Sequence, residues 1–517
     1  MGKLVYETSL PDRVLIDRKE AKEDAGVYTV NSVSVSLVKS RGGMNIEIES
    51  PKAPVREVVL VWNKKIIGAG RTFFDAWERG YGEFFFSGAK EIKVMPWYFV
   101  RKTGNGCLLY GVKTGPASMC SWEIKAGDVL LHVDVRNGDC GVELGDRRLR
   151  AASVVMCESK AKGSKEVFDA VHEFLCGLCD SNIYDGKPVY GANNWYYAYG
   201  KSSRDEVLAD AAYLAKMTEG LDNRPFMVID DGWQQDHSDD YNGGPWRKCN
   251  RDYGDMAEIA EGMKELKVRP GIWLRPLCDK SKDIPKAWRL KRHTETLDIS
   301  VPEVLSHIAE DIRIIRDWGY ELIKYDFSTW DIFGRWGAHM GRCLTDGTGW
   351  SFKDRSRTTA ELIKELYRVI YENAGGMMII GCNCIGHLGA GFFQINRTGD
   401  DTSGREWERT RKYGVNTLAF RMPMHGAFFA ADADCVGITE SIDWQKNRQW
   451  MEILSLSGTP FFVSVRPGTL NKEQEAELKK AYRIASTNTE VAIPIDWDST
   501  KTPETWMTVE GEKHYTW

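Results

Sequence analysis

Short apolar runs separated by turn residues fill the first third of the chain. Residues 28–38 alternate for most of their length, with Tyr28, Val30, Ser32, Ser34 and Ser36 on one face and Val33, Val35 and Leu37 among the others. Further runs follow at Val58-Val59-Leu60-Val61-Trp62, Phe84-Phe85-Phe86, Trp97-Tyr98-Phe99-Val100, Leu108-Leu109-Tyr110 and Val129-Leu130-Leu131-His132-Val133. Turns such as Gly104-Asn105-Gly106 and Arg136-Asn137-Gly138-Asp139 lie between them. Alternation places successive side chains on opposite faces of a strand. Many short strands at this spacing predict an antiparallel β-sandwich over residues 1–180.

Beyond residue 185 the texture changes, and apolar strand-like runs alternate with helical stretches. The pattern predicts strands over 189–198, 225–230, 269–274, 322–326, 377–382, 392–395, 417–420 and 461–465. Helices fit between most of them. Ser203 stands three residues before Glu206, the spacing of a capping box. Residues 301–318 carry Val304, Leu305, Ile308, Ile312, Ile315 and Trp318 on one side, and 359–373 and 473–485 predict two more helices. Eight strands alternating with helices predict a (β/α)8 TIM barrel over residues 181–486. The segment between the fifth and sixth strands is too short for a full helix. An open doubly wound sheet is the alternative, although no GxGxxG follows a strand. Residues 487–517, with Trp497, Trp506 and Trp517, return to a β texture and predict a short C-terminal β region. The expected fold class is therefore multidomain, α/β plus β.

Composition narrows the function. No apolar run approaches 18 residues, which argues against a transmembrane span. A net charge of −5 without a concentrated basic stretch argues against a nucleic-acid partner. The 12 cysteines are spread too widely for a disulfide scaffold, and Cys176 and Cys179 form a lone CxxC that reads as buried thiols rather than a metal site. The first residues lack the apolar core of a signal peptide. The Asn396-Arg397-Thr398 sequon falls where a glycan would block the proposed site, so the expected compartment is the cytoplasm. The 19 Trp suit either core packing or the flat faces of sugar rings.

In such a barrel the chemistry sits where strands end at the C-terminal face. The first predicted strand runs into Asn193-Asn194-Trp195-Tyr196 and the second ends on Asp230-Asp231-Gly232-Trp233. The third contains Gly271-Ile272-Trp273, and the fourth ends on Lys324-Tyr325-Asp326. After the sixth comes Arg397-Thr398-Gly399-Asp400-Asp401. Alternation puts Lys324 and Asp326 on one face of their strand, where the ammonium charge would keep Asp326 ionised. Carboxylates, a Lys, an Arg and several Trp on one rim are what a retaining glycosidase needs. One carboxylate attacks the anomeric carbon and a second protonates the leaving oxygen, the two lying about 5–5.5 Å apart.

The ordered set Trp195-Tyr196, IDDGW at 229–233, GIW at 271–273, KYD at 324–326 and RTGDD at 397–401 resembles the α-galactosidases of glycoside hydrolase family 36, which are related to family 27. The motifs span about 190–465, and the β-rich first third agrees with that family's N-terminal sandwich. The resemblance implies removal of terminal α-linked galactose by retaining double displacement, without metal or organic cofactor. It implies that Asp326 is the nucleophile and that Lys324, Asp230 and Asp231 bind galactose hydroxyls. Trp195, Tyr196 and Trp273 would line the pocket, and Arg397 would contact the sugar near O2. The Arg four residues ahead marks Asp401 as the acid/base, with Asp400 as the alternative.

Many members of that family have a Gly-rich, Cys- and Ser-containing segment after the fifth strand; here 381–391 is rich in Gly and Ala, and Cys382 at its start would contact the substrate. In related enzymes this segment lies beside the C2 substituent. An α-N-acetylgalactosaminidase or α-galactosaminidase is therefore an alternative, as is an α-galactosyl transferase of raffinose-synthase type. The expected partner is an oligosaccharide or glycoconjugate ending in α-galactose or α-N-acetylgalactosamine, and a homo-oligomer is possible by analogy. His387 and His425 read as pocket ligands or as structural histidines. Asp432 and Asp434 read as supports of the site or a surface turn. The charged run 405–411 reads as a solvated helix face from which Arg405 could reach substrate.

Overall fold

The computed structural model describes residues 4–40, 42–63, 65–345 and 347–517. The described residues up to 159 contribute two antiparallel sheets. The alternation seen in the sequence becomes a one-sided burial pattern. In Gly43–Ser50 the buried residues are Met44, Ile46, Ile48 and Ser50, and Val33–Ser40 pairs with this strand so that Val35 faces Ile48 and Leu37 faces Ile46. The second sheet includes Glu57–Trp62, Met119–Lys125 and Asp128–Asp134. The two sheets share a core in which Trp122 from one meets Phe99 and Tyr110 from the other, with ring centroids 5.7 and 5.6 Å apart. Such edge-on aromatic contacts add to the burial of large apolar area.

A parallel sheet follows helix Ser164–Leu178. In spatial order its strands are Ala430–Asp432, Ile395–Arg397, Met378–Gly381, Leu322–Tyr325, Arg269–Leu274, Phe226–Ile229, Tyr190–Asn193, Phe461–Val465 and Cys435–Ile438. Every neighbouring pair is parallel. The sheet curls: its two end strands, Ala430–Asp432 and Cys435–Ile438, are separated in the chain only by Ala433 and Asp434. Asp434 takes a left-handed φ of 73° at this break. The strands are mostly buried, as expected of a parallel sheet covered by helices. Several of the helices start on side-chain caps. Thr358 and Glu361 form a reciprocal capping box at Thr359–Ala374, which ends on Gly375 at φ 60°. Ser203 caps Arg204–Met217.

Three predicted strands need correction. Residues 417–420 are not a strand but part of helix Thr417–Arg421, which continues a π-helical turn, Arg411–Asn416. Leu418, Ala419 and Phe420 are all fully buried, so no apolar–polar period betrays the helix. The strand in that place comes later, at Ala430–Asp432. The first strand stops at Asn193 and residues Trp195–Ala198 turn helical. The sixth begins only at Ile395. As expected, the connection before it holds no more than the short helix Gly386–Gly389.

The last residues form a three-stranded sheet of Ile493–Pro494, Thr505–Thr508 and Gly511–His514. Nearby Trp497 is fully buried and ties the regions together, with ring centroids within 6 Å of Phe73, Phe86, Phe168 and Phe420. Among the described residues no helix is long and apolar enough to cross a membrane.

Candidate active site

The C-terminal ends of the parallel strands bring the predicted residues to one place. Asp326, just past Leu322–Tyr325, is 8% exposed and accepts three hydrogen bonds. Phe327 N (2.7 Å) and Asn383 N (3.0 Å) donate to Oδ1, and Trp273 Nε1 (3.0 Å) donates to Oδ2. The donors come from three strand ends, so the carboxylate is fixed in position and its charge is stabilised. Trp273 is itself held by Trp233, whose Nε1 donates to the Trp273 carbonyl at 2.8 Å, and by Trp246 against its ring.

Asp401 faces the same cavity of about 540 Å³ as Asp326. Its side chain is 39% exposed. Arg397 Nη2 lies 3.4 Å and Arg79 Nη1 3.2 Å from its Oδ1. Burial among protein atoms would raise its pKa, but the guanidiniums of Arg397 and Arg79, with Lys324 and Arg409 behind them, hold it down to about 2. Asp400 differs. Its two oxygens are taken by Arg79 Nη2 at 3.0 Å and Arg409 Nη2 at 3.1 Å. Asp400 borders the same cavity, but both its oxygens are held, and Asp401 is the more exposed of the two.

Beneath these groups lies a buried polar layer. Lys324 Nζ and Asn193 Nδ2 both reach Asp230 Oδ2 at 2.6 Å. Burial disfavours the Lys324 charge, yet Asp230 keeps the ammonium protonated well above its ordinary range. Asp231 accepts from Gln234 Nε2 at 2.7 Å. Arg397 is 1% exposed and donates to Asp434 Oδ2 at 2.7 Å. Cys382 is fully buried 3.4 Å from Arg397 Nη1. Tyr196 is also buried and donates its hydroxyl to Asp434, so it braces Arg397 through that carboxylate. Trp195 is half-buried against Tyr199.

Asp432 is buried behind Arg397 with its pKa raised to about 6, chiefly by burial, with Arg397 opposing and Asp434 adding to the rise. A raised carboxyl pKa in the folded state means that folding takes up a proton between about pH 4 and 6. Stability from this group is therefore full below pH 4 and lost as pH rises through 6, by roughly 3 kcal/mol in all. Asp432→Asn keeps an oxygen for Asp434 N, which donates to Oδ1 at 2.9 Å. Its unfolding free energy, measured in urea, is expected to gain on the wild type across that window and to run parallel above it. Parallel curves throughout would refute the assignment.

The remaining candidates divide cleanly. His387 is structural: its Nε2 meets the Val112 carbonyl at 2.9 Å and its ring stacks on Trp97. His425 Nδ1 accepts from Ala431 N at 3.1 Å and is equally buried. Asp432 and Asp434 are buried supports rather than a surface turn. Arg405 lies over the Tyr199 ring, 3.9 Å from its centroid. The charged run is not wholly a solvated face, because Arg409 reaches in to Asp400 and donates Nε to the Asp401 carbonyl at 2.9 Å. Cys179 is buried but Cys176 is exposed, 3.6 Å from His172 Nε2. Among the described residues no group of three or more His, Cys, Asp or Glu side chains is arranged to hold a metal.

Sequence reasoning misses a contribution from the first third of the chain. The segment after Arg71–Phe74 sends Glu78 and Arg79 into the site. Glu78 accepts from Asn383 Nδ2 at 2.5 Å and from Gly337 N at 2.8 Å. Trp336, 5.7 Å from the Arg79 guanidinium, forms a wall of the cavity with Phe327. A run reading Trp77-Glu78-Arg79-Gly80 inside a sandwich carries no local sign of this role.

No protein-family model matches the sequence, and no curated protein does. Solved structures do match in fold. The α-galactosidase TtGalA from Thermus thermophilus, in complex with p-nitrophenyl α-D-galactopyranoside, aligns with a TM-score of 0.62 at 16% identity, covering 98% of this chain and 99% of its own. The family 36 α-galactosidase AgaA from Geobacillus stearothermophilus aligns with a TM-score of 0.62 at 14% identity, over 98% of this chain and 77% of its own. The galactosidase domain of the α-galactosidase-sucrose kinase AgaSK gives 0.58 at 15%, over 98% and 76%. The chain shares the fold of these proteins over nearly its whole length.

Proposed function

We propose that this chain, built on the fold of the family 36 α-galactosidases, is a retaining exo-glycosidase that removes terminal α-linked galactose, with its curled parallel sheet acting as a closed (β/α)8 barrel. The observation that carries this reading is the pairing of two unlike carboxylates on one cavity. Asp326 is locked by three N–H donors, and Asp401 is open to the cavity.

Oδ1 of Asp326 already accepts two hydrogen bonds and Oδ2 only one, so Oδ2 is the attacking atom. Its lone pair forms a bond to the anomeric carbon as the glycosidic C–O bond breaks. Asp401, ionised in the free protein, takes up a proton when the sugar fills the cavity and gives that proton to the departing oxygen. The resulting galactosyl ester is then cleaved by water. Asp401 takes the water proton, the water oxygen bonds to the anomeric carbon, and Asp326 leaves as carboxylate. Lys324 and Asp230 offer a charged donor and an acceptor for ring hydroxyls beneath the reacting carbon, while Trp273, expected to line the pocket, is buried and holds Asp326 through its Nε1 instead.

The loop that raised an N-acetyl substrate has another reason for its small residues. A side chain at Gly381 would meet Asn396 and Phe393 at 2.6 Å, one at Gly386 would meet Asn396 at 2.9 Å, and one at Gly389 would meet Phe393 at 2.6 Å. These residues are small because the chain packs closely there, so their size is no sign of a pocket for an acetamido group. The test is kcat/KM of the purified protein on nitrophenyl α-galactoside and nitrophenyl α-N-acetylgalactosaminide. The galactoside is expected to be the better substrate. A preference for the N-acetyl sugar would overturn the assignment of substrate.

A further inference from the structure

Residues 75–81 leave the N-terminal sheets and cross to the catalytic strand ends. The crossing is pinned at several points. Asp75 pairs with Arg421 at 2.5 Å, both side chains being 5% exposed or less. Trp77 Nε1 donates to the Gly341 carbonyl at 3.1 Å. Gly80 pairs with Gly399 as a parallel bridge, its N–H donating to Thr398 O at 2.8 Å while its carbonyl accepts from Asp400 N at 2.9 Å. A side chain at Gly80 would strike the Phe84 ring at 2.2 Å, so this close approach requires glycine.

Between the pins, two consecutive side chains address the two catalytic carboxylates. Glu78 binds the side chain of Asn383, whose backbone N–H donates to Asp326. Arg79 binds Asp401 directly and is 4% exposed. Both guanidinium contacts to Asp401, from Arg79 and Arg397, fall on Oδ1. They fix the carboxylate's rotation and leave Oδ2 for the substrate. The second Arg79 nitrogen is held by Asp400 at 3.0 Å, and its plane lies beside Trp336. Arg79 is therefore oriented from two sides.

We propose that Arg79 is a positioning residue for the acid/base carboxylate of Asp401, so that the N-terminal region supplies part of the catalytic apparatus. The role assigned to Asp401 rests on the glycosidase reading above; the contact between Arg79 and Asp401 does not. The charged and titratable groups facing Asp401 are Arg397 on its own strand end, Arg79 and Tyr81 from the crossing segment, Lys324 and Cys382 from neighbouring strands, and Asp326, His339 and Tyr413 around the shared cavity. Arg409 and Asp400 flank it, and Tyr196 and Asp434 lie behind Arg397. Of the nearby cations, Arg79 comes from furthest away in sequence, 322 residues before Asp401.

The sign is set by charge. A guanidinium beside Asp401 favours its ionised form, and the first step needs the protonated form. Removing the guanidinium therefore moves the basic limb of the kcat/KM profile to higher pH. In Arg79→Gln this shift is expected, together with a kcat loss of about 10- to 100-fold on an unactivated α-galactosyl oligosaccharide and a smaller loss on the nitrophenyl galactoside. Arg79→Lys keeps the charge and should retain the wild-type limb. An equal loss at every pH and on both substrates in Arg79→Gln would reduce the residue to a structural ion pair and overturn the proposal. A carboxyl-carbon NMR titration, with the Asp401 signal identified by its loss in Asp401→Asn, tests the same contact without turnover. The signal should titrate at higher pH in Arg79→Gln, and an unmoved titration would refute the proposal. If the wild type turns over no α-galactoside yet this titration moves, the functional reading fails and the Arg79 contact stands.

Discussion

Asp326→Asn is expected to yield a folded protein whose turnover of α-galactosides falls by about 10⁴-fold or more, equivalent to roughly 5.5 kcal/mol of lost transition-state stabilisation. The amide is nearly isosteric. Its carbonyl can keep the Oδ1 position and accept from Phe327 N and Asn383 N. The amide nitrogen then faces Trp273 Nε1, donor against donor, at a cost of about 1–3 kcal/mol. That cost lowers the melting temperature without preventing folding, and circular dichroism separates the two effects. The shorter Asp326→Ala should lose activity just as completely, and added azide or formate should restore part of it by entering the space the carboxylate leaves. A pure preparation of either variant turning over near the wild-type rate would remove Asp326 from the mechanism.

Asp401→Ala should divide substrates by their leaving groups. An oligosaccharide leaves as a poor alkoxide and needs the proton, so its rate should fall by about 10²- to 10⁴-fold. Nitrophenolate leaves readily, and its first step should fall far less. Neither guanidinium is stranded by the change, since Arg79 keeps Asp400 and Arg397 keeps Asp434. Asp400→Ala provides the contrast. Its carboxylate is shared between Arg79 and Arg409, so its loss should slow both substrate classes by a similar factor. If Asp401→Ala showed that uniform loss and Asp400→Ala the leaving-group dependence, the two roles would have to be exchanged.

What can be read from the sequence is what is local. Lys324-Tyr325-Asp326 and Asp230-Asp231 end parallel strands, and a strand end fixes where its next side chain points, so those residues fall into the site directly. The Arg397-to-Asp401 spacing is local for the same reason. Arg79 is hidden because its partner is distant in the chain and nothing in the alternation of the first third marks a segment that leaves its sheet. The Thr417–Arg421 helix passes for a strand because burial on all sides erases the helical period. The strand that takes its place, Ala430–Asp432, escapes notice because Ala-Ala-Asp has little β propensity and forms a strand only through its neighbours. The loop glycines look like room for a substituent, whereas three of them answer the close approach of Phe393 and Asn396.

The break at Ala433 and Asp434 has a consequence for how the molecule is made. Asp434 sits between the strands that end the sheet, and it also grips Arg397. A nascent chain meets these requirements in a fixed order. Arg79 emerges early, while Asp326 and Asp401 follow much later. Asp434 and its flanking strand Cys435–Ile438 come near the end, and that strand finds its neighbour only when Phe461–Val465 appears. At about 5–20 residues per second, Arg79 waits tens of seconds for its partner. The proposed activity is therefore a late reporter of assembly during synthesis: a chain interrupted before residue 461 can hold both carboxylates and still lack the seam that sets them.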